Sequence, residues 1–259
     1  MAPDTPASVF TPAWPAPAGV RALCTTRAGG VSAPPFDSFN LGDHVRDDPA
    51  AVAANRQRLA AFCAPARPVF LRQVHGTGVA VLDAGTPDGA EADAAVVHTP
   101  GQAATIMVAD CLPVLFAHAS GRAVAAAHAG WRGLHAGVLE ATLQRLREVA
   151  GPGEVMAWLG PAIGPTAFEV GEEVWEAFVS ADRAAAAHFH AHPTRGKWWA
   201  DLPALARQRL SAAGLRSLHG NDGSAGWCTV SERSRFFSHR RDAARLGGTG
   251  RFAACVWLG

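Results

Sequence analysis

Apolar runs too short for most helices, several of them closed by a polar residue, punctuate this chain: VRALCTTR, VFLRQVH, VAVLD, ADAAVV, TIMVAD, PVLFAH, AVAAAHA, VMAWLG and RFAACVWL. Bounded by turn formers, such runs predict strands buried on one or both faces. Helical patterning takes over at Pro49 to Cys63, Arg132 to Ala150, Gly171 to Ala181 and Leu202 to Ala213. Asp48 before Pro49, and Asp201 before Leu202 and Pro203, supply an N-cap acceptor followed by a proline preset for the first turn. The third quarter therefore reads as helical, between sheet-rich halves. Several strands follow one another with no helix between, which disfavours a strictly alternating parallel sheet. The expected fold class is α+β, a single-domain sandwich of mixed β-sheets flanked by helices.

Composition narrows this picture only at its edges. With 259 residues, 49% of them hydrophobic, the chain can bury a substantial core, and no Gly/Ser or Pro-rich linker divides its middle. Residues 19–259 are expected to form one domain. The Pro- and Ala-rich stretch MAPDTPASVFTPAWPAPAG suggests a flexible arm over residues 1–18, and it lacks the basic start and continuous apolar segment of a signal peptide. Lys and Arg total 23 against 22 Asp and Glu, a net charge of +1, so no global field attracts nucleic acid or anionic membrane. No apolar run approaches the roughly 20 residues that span a bilayer. The five cysteines are scattered without a disulfide framework, which fits a reducing cytoplasm. Monomer and small homo-oligomer both remain open.

The chemistry sits at the polar ends of three strand-like runs. RQVHG carries His75, ADCLPVLF carries Cys111 and AAAHAGWRG carries His128. Three protein ligands of this kind make a zinc site whose fourth position stays free for water or substrate, one zinc per chain. On spacing alone, a half-buried His or a small core Cys explains each residue as well. The surroundings favour the metal: Asp110 precedes Cys111, and Gly130, Arg132 and Gly133 follow His128 where a helix starts, a setting suited to an anion.

Longer blocks carry a family resemblance. TTRAGGVSAPPFDSFNLGDHV at 25–45, RQVHG, EADAAVV, ADCLPVLFAH, AHAGWRGLHAGVLE, WLGPAIGPTAFEVGEEV, FFSHRRD and TGRFAACVWL resemble the YfiH family, also called the laccase-domain or peptidoglycan editing factor family. The resemblance runs from Thr25 to the C-terminus. It implies His75, Cys111 and His128 as zinc ligands, and a purine nucleoside phosphorylase that also deaminates adenosine, despite an older polyphenol oxidase label. The chain departs from the family pattern at Arg46 in HVRDD, where glycine is common, and at His239 in FFSHRRD, where tyrosine is common.

Those two reactions set demands on other residues. Zinc brings the pKa of bound water to about 7, which suits deamination at C6 of adenine, with Asp110 as the expected proton shuttle. Phosphorolysis needs phosphate as co-substrate held by converging cations, and Arg27 beside two glycines and Arg132 at a helix start are the expected holders, Arg27 with a catalytic part. Gln73, two residues before His75, should share its strand face and contact a base edge or the metal shell. Ser32 and Asn40 lie in a loop suited to ribose, and Trp131 is available for stacking on a purine. The alternate His188, His190 and His192 read as a mobile surface segment, and copper is not expected because a multi-copper centre needs many more His ligands. Two rivals stand beside this reading: a Cys–His hydrolase with Cys111 as nucleophile, and a zinc-stabilised binding factor in peptidoglycan synthesis.

Overall fold

The computed structural model describes residues 7–259. Its strands are β1 (Val9–Phe10), β2 (Val20–Thr25), β3 (Arg67–Phe70), β4 (Val79–Leu82), β5 (Ala94–Val97), β6 (Gln102–Val108), β7 (Leu112–His118), β8 (Val124–Ala129), β9 (Val155–Leu159), β10 (Glu169–Gly171), β11 (Phe189–Ala191), β12 (Lys197–Ala200), β13 (Ser217–Gly220) and β14 (Phe252–Leu258). The helices are α1 (Pro49–Cys63), α2 (Trp131–Ala136), α3 (Val138–Ala150), α4 (Glu172–Ala181), α5 (Leu202–Ala212) and α6 (His239–Leu246).

Two large mixed sheets form the frame: β1-β2-β14-β6-β3 and β13-β9-β7-β8-β5-β4. Pairings are antiparallel except β3 with β6, β4 with β5 and β13 with β9. The period of two along each strand assigns every side chain to a layer. On β7, Leu112, Val114 and Phe116 pack toward α3, while Leu115 and Ala117 face the other sheet. On β14, Phe252, Ala254 and Val256 enter the space between the sheets, and Ala253, Cys255 and Trp257 turn to the side covered by Leu59 and Cys63 of α1. The result is helix, sheet, sheet, helix, the expected α+β sandwich, and no helix is long and apolar enough to cross a membrane.

Local signals decided most element ends. Asp48 caps α1 by accepting from the Ala50 amide, with Pro49 in the first turn. The long helix expected from Arg132 to Ala150 is divided, because Gly137 takes φ 100° and ends α2 before α3 begins. The third quarter is not purely helical: β10, β12 and β11 form a third, antiparallel sheet. The His188–His192 stretch is part of it, with His190 opposite Trp199 and the His192 ring 4.6 Å from that of Trp199. Nor do the described residues of the 1–18 stretch hang free, since Val9 and Phe10 pair with β2, and Phe10 packs on Trp158 and Phe236. Arg46 adopts the left-handed backbone that a glycine takes without strain, φ 69°.

Candidate metal centre and its cavity

Three chain segments bring the candidate metal-binding side chains to one end of the sandwich. Ala125, Ala127 and Ala129 of β8 face α3, so by alternation His128 points toward the space between the sheets. Cys111 lies in the turn from β6 to β7, and His75 in the loop after β3 with φ 62°. One donor atom from each of His75, Cys111 and His128 falls within 4.8 Å of the others, with Cys111 Sγ 3.8 Å from His75 Nε2. A sulfur and two imidazole nitrogens that close suit a single cation with bonds of about 2.0–2.3 Å. Gly130 is required beside them: a Cβ there would lie 2.8 Å from His75 Cδ2 and 3.0 Å from Cys111 Sγ.

A fully buried carboxylate ties the group together. Asp93 accepts from the amides of Val74 (3.2 Å), His75 (2.9 Å) and Gly76 (2.7 Å), and from His128 Nδ1 at 2.8 Å. It therefore holds the His75 loop and also fixes the His128 tautomer, leaving Nε2 free for a cation. Burial pushes the Asp93 carboxyl up, but the His128 imidazole and the Gly76 and His75 amides outweigh it and hold the group below the usual carboxylate value. Burial likewise raises the Cys111 thiol, yet His128 and His75 bring it down to about 6. His128 moves the other way: against burial, the Cys111 and Asp93 charges raise it to about 9. The metal-free pair is thus a thiolate beside an imidazolium at neutral pH.

The group opens into a cavity of about 730 Å³ whose lining includes His75, Cys111 and His128, with Phe70, Phe168 and Trp131 as its aromatic walls. Gln73 and Asp110 also line it, but both are tied down. The expected strand ends at Phe70, and the Gln73 amide instead clamps Met107 at the end of β6, donating to its carbonyl (2.8 Å) and accepting from its amide (2.9 Å). Asp110 has φ 91°, and its two oxygens accept from Thr229 Oγ1 and the Arg240 amide, each at 2.6 Å. That arrangement makes Asp110 a clamp between the Cys111 turn and α6, with its carboxylate still on the cavity lining.

The family model described as multi-copper polyphenol oxidoreductase laccase matches residues 21–259. The chain belongs to that family. It is 54% identical over 250 residues to a purine nucleoside phosphorylase of Pseudomonas aeruginosa, covering 96% of this chain and 98% of the relative. It is 50% identical to the purine nucleoside phosphorylase YfiH of Escherichia coli strain K12, covering 96% and 98%. The crystal structure of a Neisseria meningitidis protein superposes with a TM-score of 0.87 at 46% identity, over 97% of this chain and 99% of that one.

Four residues expected at the site of this family member lie elsewhere. Arg27 is absent from the cavity wall: its Nε donates to the Asp37 carbonyl at 2.9 Å, Nη1 to the Arg233 carbonyl at 3.2 Å, and its plane lies 4.8 Å over Phe237. Arg132 stacks on Trp131 at 4.4 Å on the outside, and does not line the cavity. Ser32 is buried, accepting from Asn55 Nδ2 at 3.0 Å. Asn40 is fully buried and bonds Gly42, Asp47 and the Arg251 amide. Both were read as ribose contacts, whereas their groups bond within the loop and to α1: Ser32 to the Asn55 side chain, Asn40 to backbone and to Asp47. Arg27→Ala should therefore cost about 1 to 3 kcal/mol of stability in urea unfolding, from the loss of two hydrogen bonds to backbone carbonyls at about 0.5 to 1.5 kcal/mol each. A variant as stable as the parent, with impaired phosphate use, would restore Arg27 to the site.

Sequence reasoning missed Asp93, Arg240 and Arg251. Each sits inside a quoted block, EADAAVV, FFSHRRD or TGRF, so the block was visible although the residue's task was not.

Proposed function

We propose that the chain is a zinc-dependent purine nucleoside phosphorylase that also deaminates adenosine, working in the cytoplasm on nucleosides and phosphate. The observation that carries this reading is the His75, Cys111 and His128 group at the wall of a cavity large enough for a nucleoside, with Asp93 fixing two of its three members. The names of the relatives from Pseudomonas aeruginosa and Escherichia coli support the phosphorylase part. The family description mentions copper, but among the described residues the cation-binding group has only one Cys and two His, a borderline set that suits zinc and falls short of a multi-copper cluster.

In phosphorolysis a phosphate oxygen bonds to C1′ of the ribose, the C1′–N9 bond breaks, and its electron pair leaves on the purine, which takes up a proton at nitrogen. Zinc supplies Lewis acidity beside the cavity when bound. The chain's own residues orient and exclude water: Asp93 sets the His128 ring, while Phe168 and Trp131 offer flat apolar surface to a purine.

The test is product analysis on purified, zinc-loaded protein. With adenosine and phosphate, adenine and ribose 1-phosphate are expected together with some inosine and ammonia; without phosphate, only inosine and ammonia. No adenine or hypoxanthine under any phosphate concentration would remove the phosphorylase, and no ammonia would remove the deaminase.

A further inference from the structure

We propose that Arg251 and Arg240 form the seat for inorganic phosphate, on the wall of the cavity that holds Cys111. The inference deepens the phosphorolysis reading and rests on it for its catalytic consequence, but the binding itself is tested separately.

The cations around this cavity are not equivalent. Arg56 is matched by Asp43 at 3.1 Å, and Arg72 by Glu91. Arg251 and Arg240 also line the cavity, yet neither has a carboxylate within ion-pair distance among the described residues. Arg251 Nη1 reaches only the carbonyl oxygens of Thr249 (3.2 Å) and Gly250 (3.1 Å), and Arg240 Nη2 only that of Glu169 (2.9 Å). The acids lining the cavity are already engaged, Asp43 by Arg56, Asp88 by Arg67 and the Phe70 amide, and Asp110 by Thr229 and the Arg240 amide. His44 and His239 also line the cavity. Two guanidiniums with no carboxylate in direct ion-pair contact among the described residues, facing one cavity, leave donors for an anion from outside, although Cys111 and Asp110 act on Arg251 from further off. Planar forks suit a tetrahedral oxyanion, and a phosphate carrying between one and two charges at neutral pH balances two of them.

Arg251 is also held in place before any ligand arrives. Its amide donates to Asn40 Oδ1 at 2.8 Å and its carbonyl accepts from the Leu41 amide at 3.0 Å. Its stem lies directly against Gly42, where a Cβ would come within 2.8 Å of Arg251 Cγ. The FNLGDH turn is therefore a cradle for this arginine, which gives Asn40 a positioning task in place of the expected ribose contact. Arg240 is set through its own backbone: its amide donates to Asp110, the residue directly before Cys111.

The test uses zinc-loaded protein, with inosine as substrate so that deamination plays no part. Arg251→Gln and Arg240→Gln should each raise the KM for phosphate about ten- to hundredfold, the loss of one charge-assisted contact, while the KM for inosine moves less than about threefold. Arg251→Lys keeps the charge without the fork and should fall between. Gly42→Ala leaves both arginines in the chain but displaces the Arg251 stem, so it should raise the phosphate KM as well; this arm stands even if Arg251→Gln does not fold. Calorimetry with inorganic phosphate alone gives the second readout: the parent should bind and the Arg240→Gln and Gly42→Ala proteins should bind about tenfold or more weakly. Phosphate affinity equal to the parent's in both of those variants, or no phosphate binding by the parent, overturns the seat. A parent that binds phosphate through these arginines but cleaves no nucleoside keeps the seat and removes the phosphorylase reading.

Discussion

Brief treatment with iodoacetamide at pH 7 should leave Cys111 unmodified in the zinc-loaded protein and label it faster than any other cysteine after chelation. In the loaded state its sulfur is occupied by the metal, and alkylation needs a free thiolate. After chelation, the neighbouring imidazoles hold the thiol at about 6, so about nine-tenths of it is thiolate at pH 7. The internal controls are strong, because Cys24, Cys63, Cys228 and Cys255 are all buried; burial drives the Cys24 thiol up, and the hydrogen bond with Cys255, then burial, does the same for Cys63. The thiol's folded value is depressed relative to the ordinary one, so its advantage is present above pH 6 and fades as pH falls through 6. Metal analysis gives the companion result: about one zinc per parent chain, lost or sharply reduced in Cys111→Ala, His75→Ala and His128→Ala. The same lowered thiol would serve a Cys–His hydrolase, so the order of labelling separates the two. Rapid modification of Cys111 with zinc in place would overturn the metal assignment and favour the nucleophile.

The parts of this molecule that were legible in its sequence are those set by neighbours in sequence. Asp48 and Pro49 announce α1 because a cap and a first turn need only consecutive residues, and the runs of β7, β8 and β14 announce strands because alternation is a local property. Gly137 was readable in principle, yet a glycine inside a helical pattern is often tolerated, and only its left-handed φ divides α2 from α3. The three candidate metal donors were legible for a similar reason, since each borders an apolar run. Convergence across the chain was not. Arg251 is fixed by Asn40 and Gly42 more than 200 positions earlier, and Arg240 by Asp110, 130 positions earlier. Arginines near glycines, such as Arg27 and Arg132, advertise an anion site locally, but whether such a cation is spent on carbonyls or left facing a cavity is decided only by tertiary contacts.

Asp93 is the clearest case of that kind, and its replacement should have the second large effect. In sequence it is one more acid before an apolar run, indistinguishable from a solvated strand end. In the fold its side chain is completely buried and accepts from four donors, three backbone amides and the His128 ring. Asp93→Ala removes the acceptor of all four at a buried position, which should cost about 3 to 5 kcal/mol, a large share of the roughly 5 to 15 kcal/mol of an ordinary domain. Asp93→Asn is the more informative change: the carboxamide keeps one acceptor oxygen but turns an NH2 group toward N–H donors, so the His75 loop and the His128 tautomer are no longer held together. Zinc affinity should fall about ten- to hundredfold in Asp93→Asn, as it does when the partner behind a ligand imidazole is lost, while the fold survives. Acid unfolding supplies an independent check. The Asp93 carboxyl lies below 3.8 in the folded chain, so its contribution is complete above that pH and disappears as pH falls through the folded value. The Asn variant should therefore lose part of the parent's stability at neutral pH and lose less than the parent on acidification below about 3.8. Competition titration with a chromogenic chelator reads the affinity; unchanged zinc binding in Asp93→Asn would show that the carboxylate organises the loop alone, and that His128 needs no partner to face the metal.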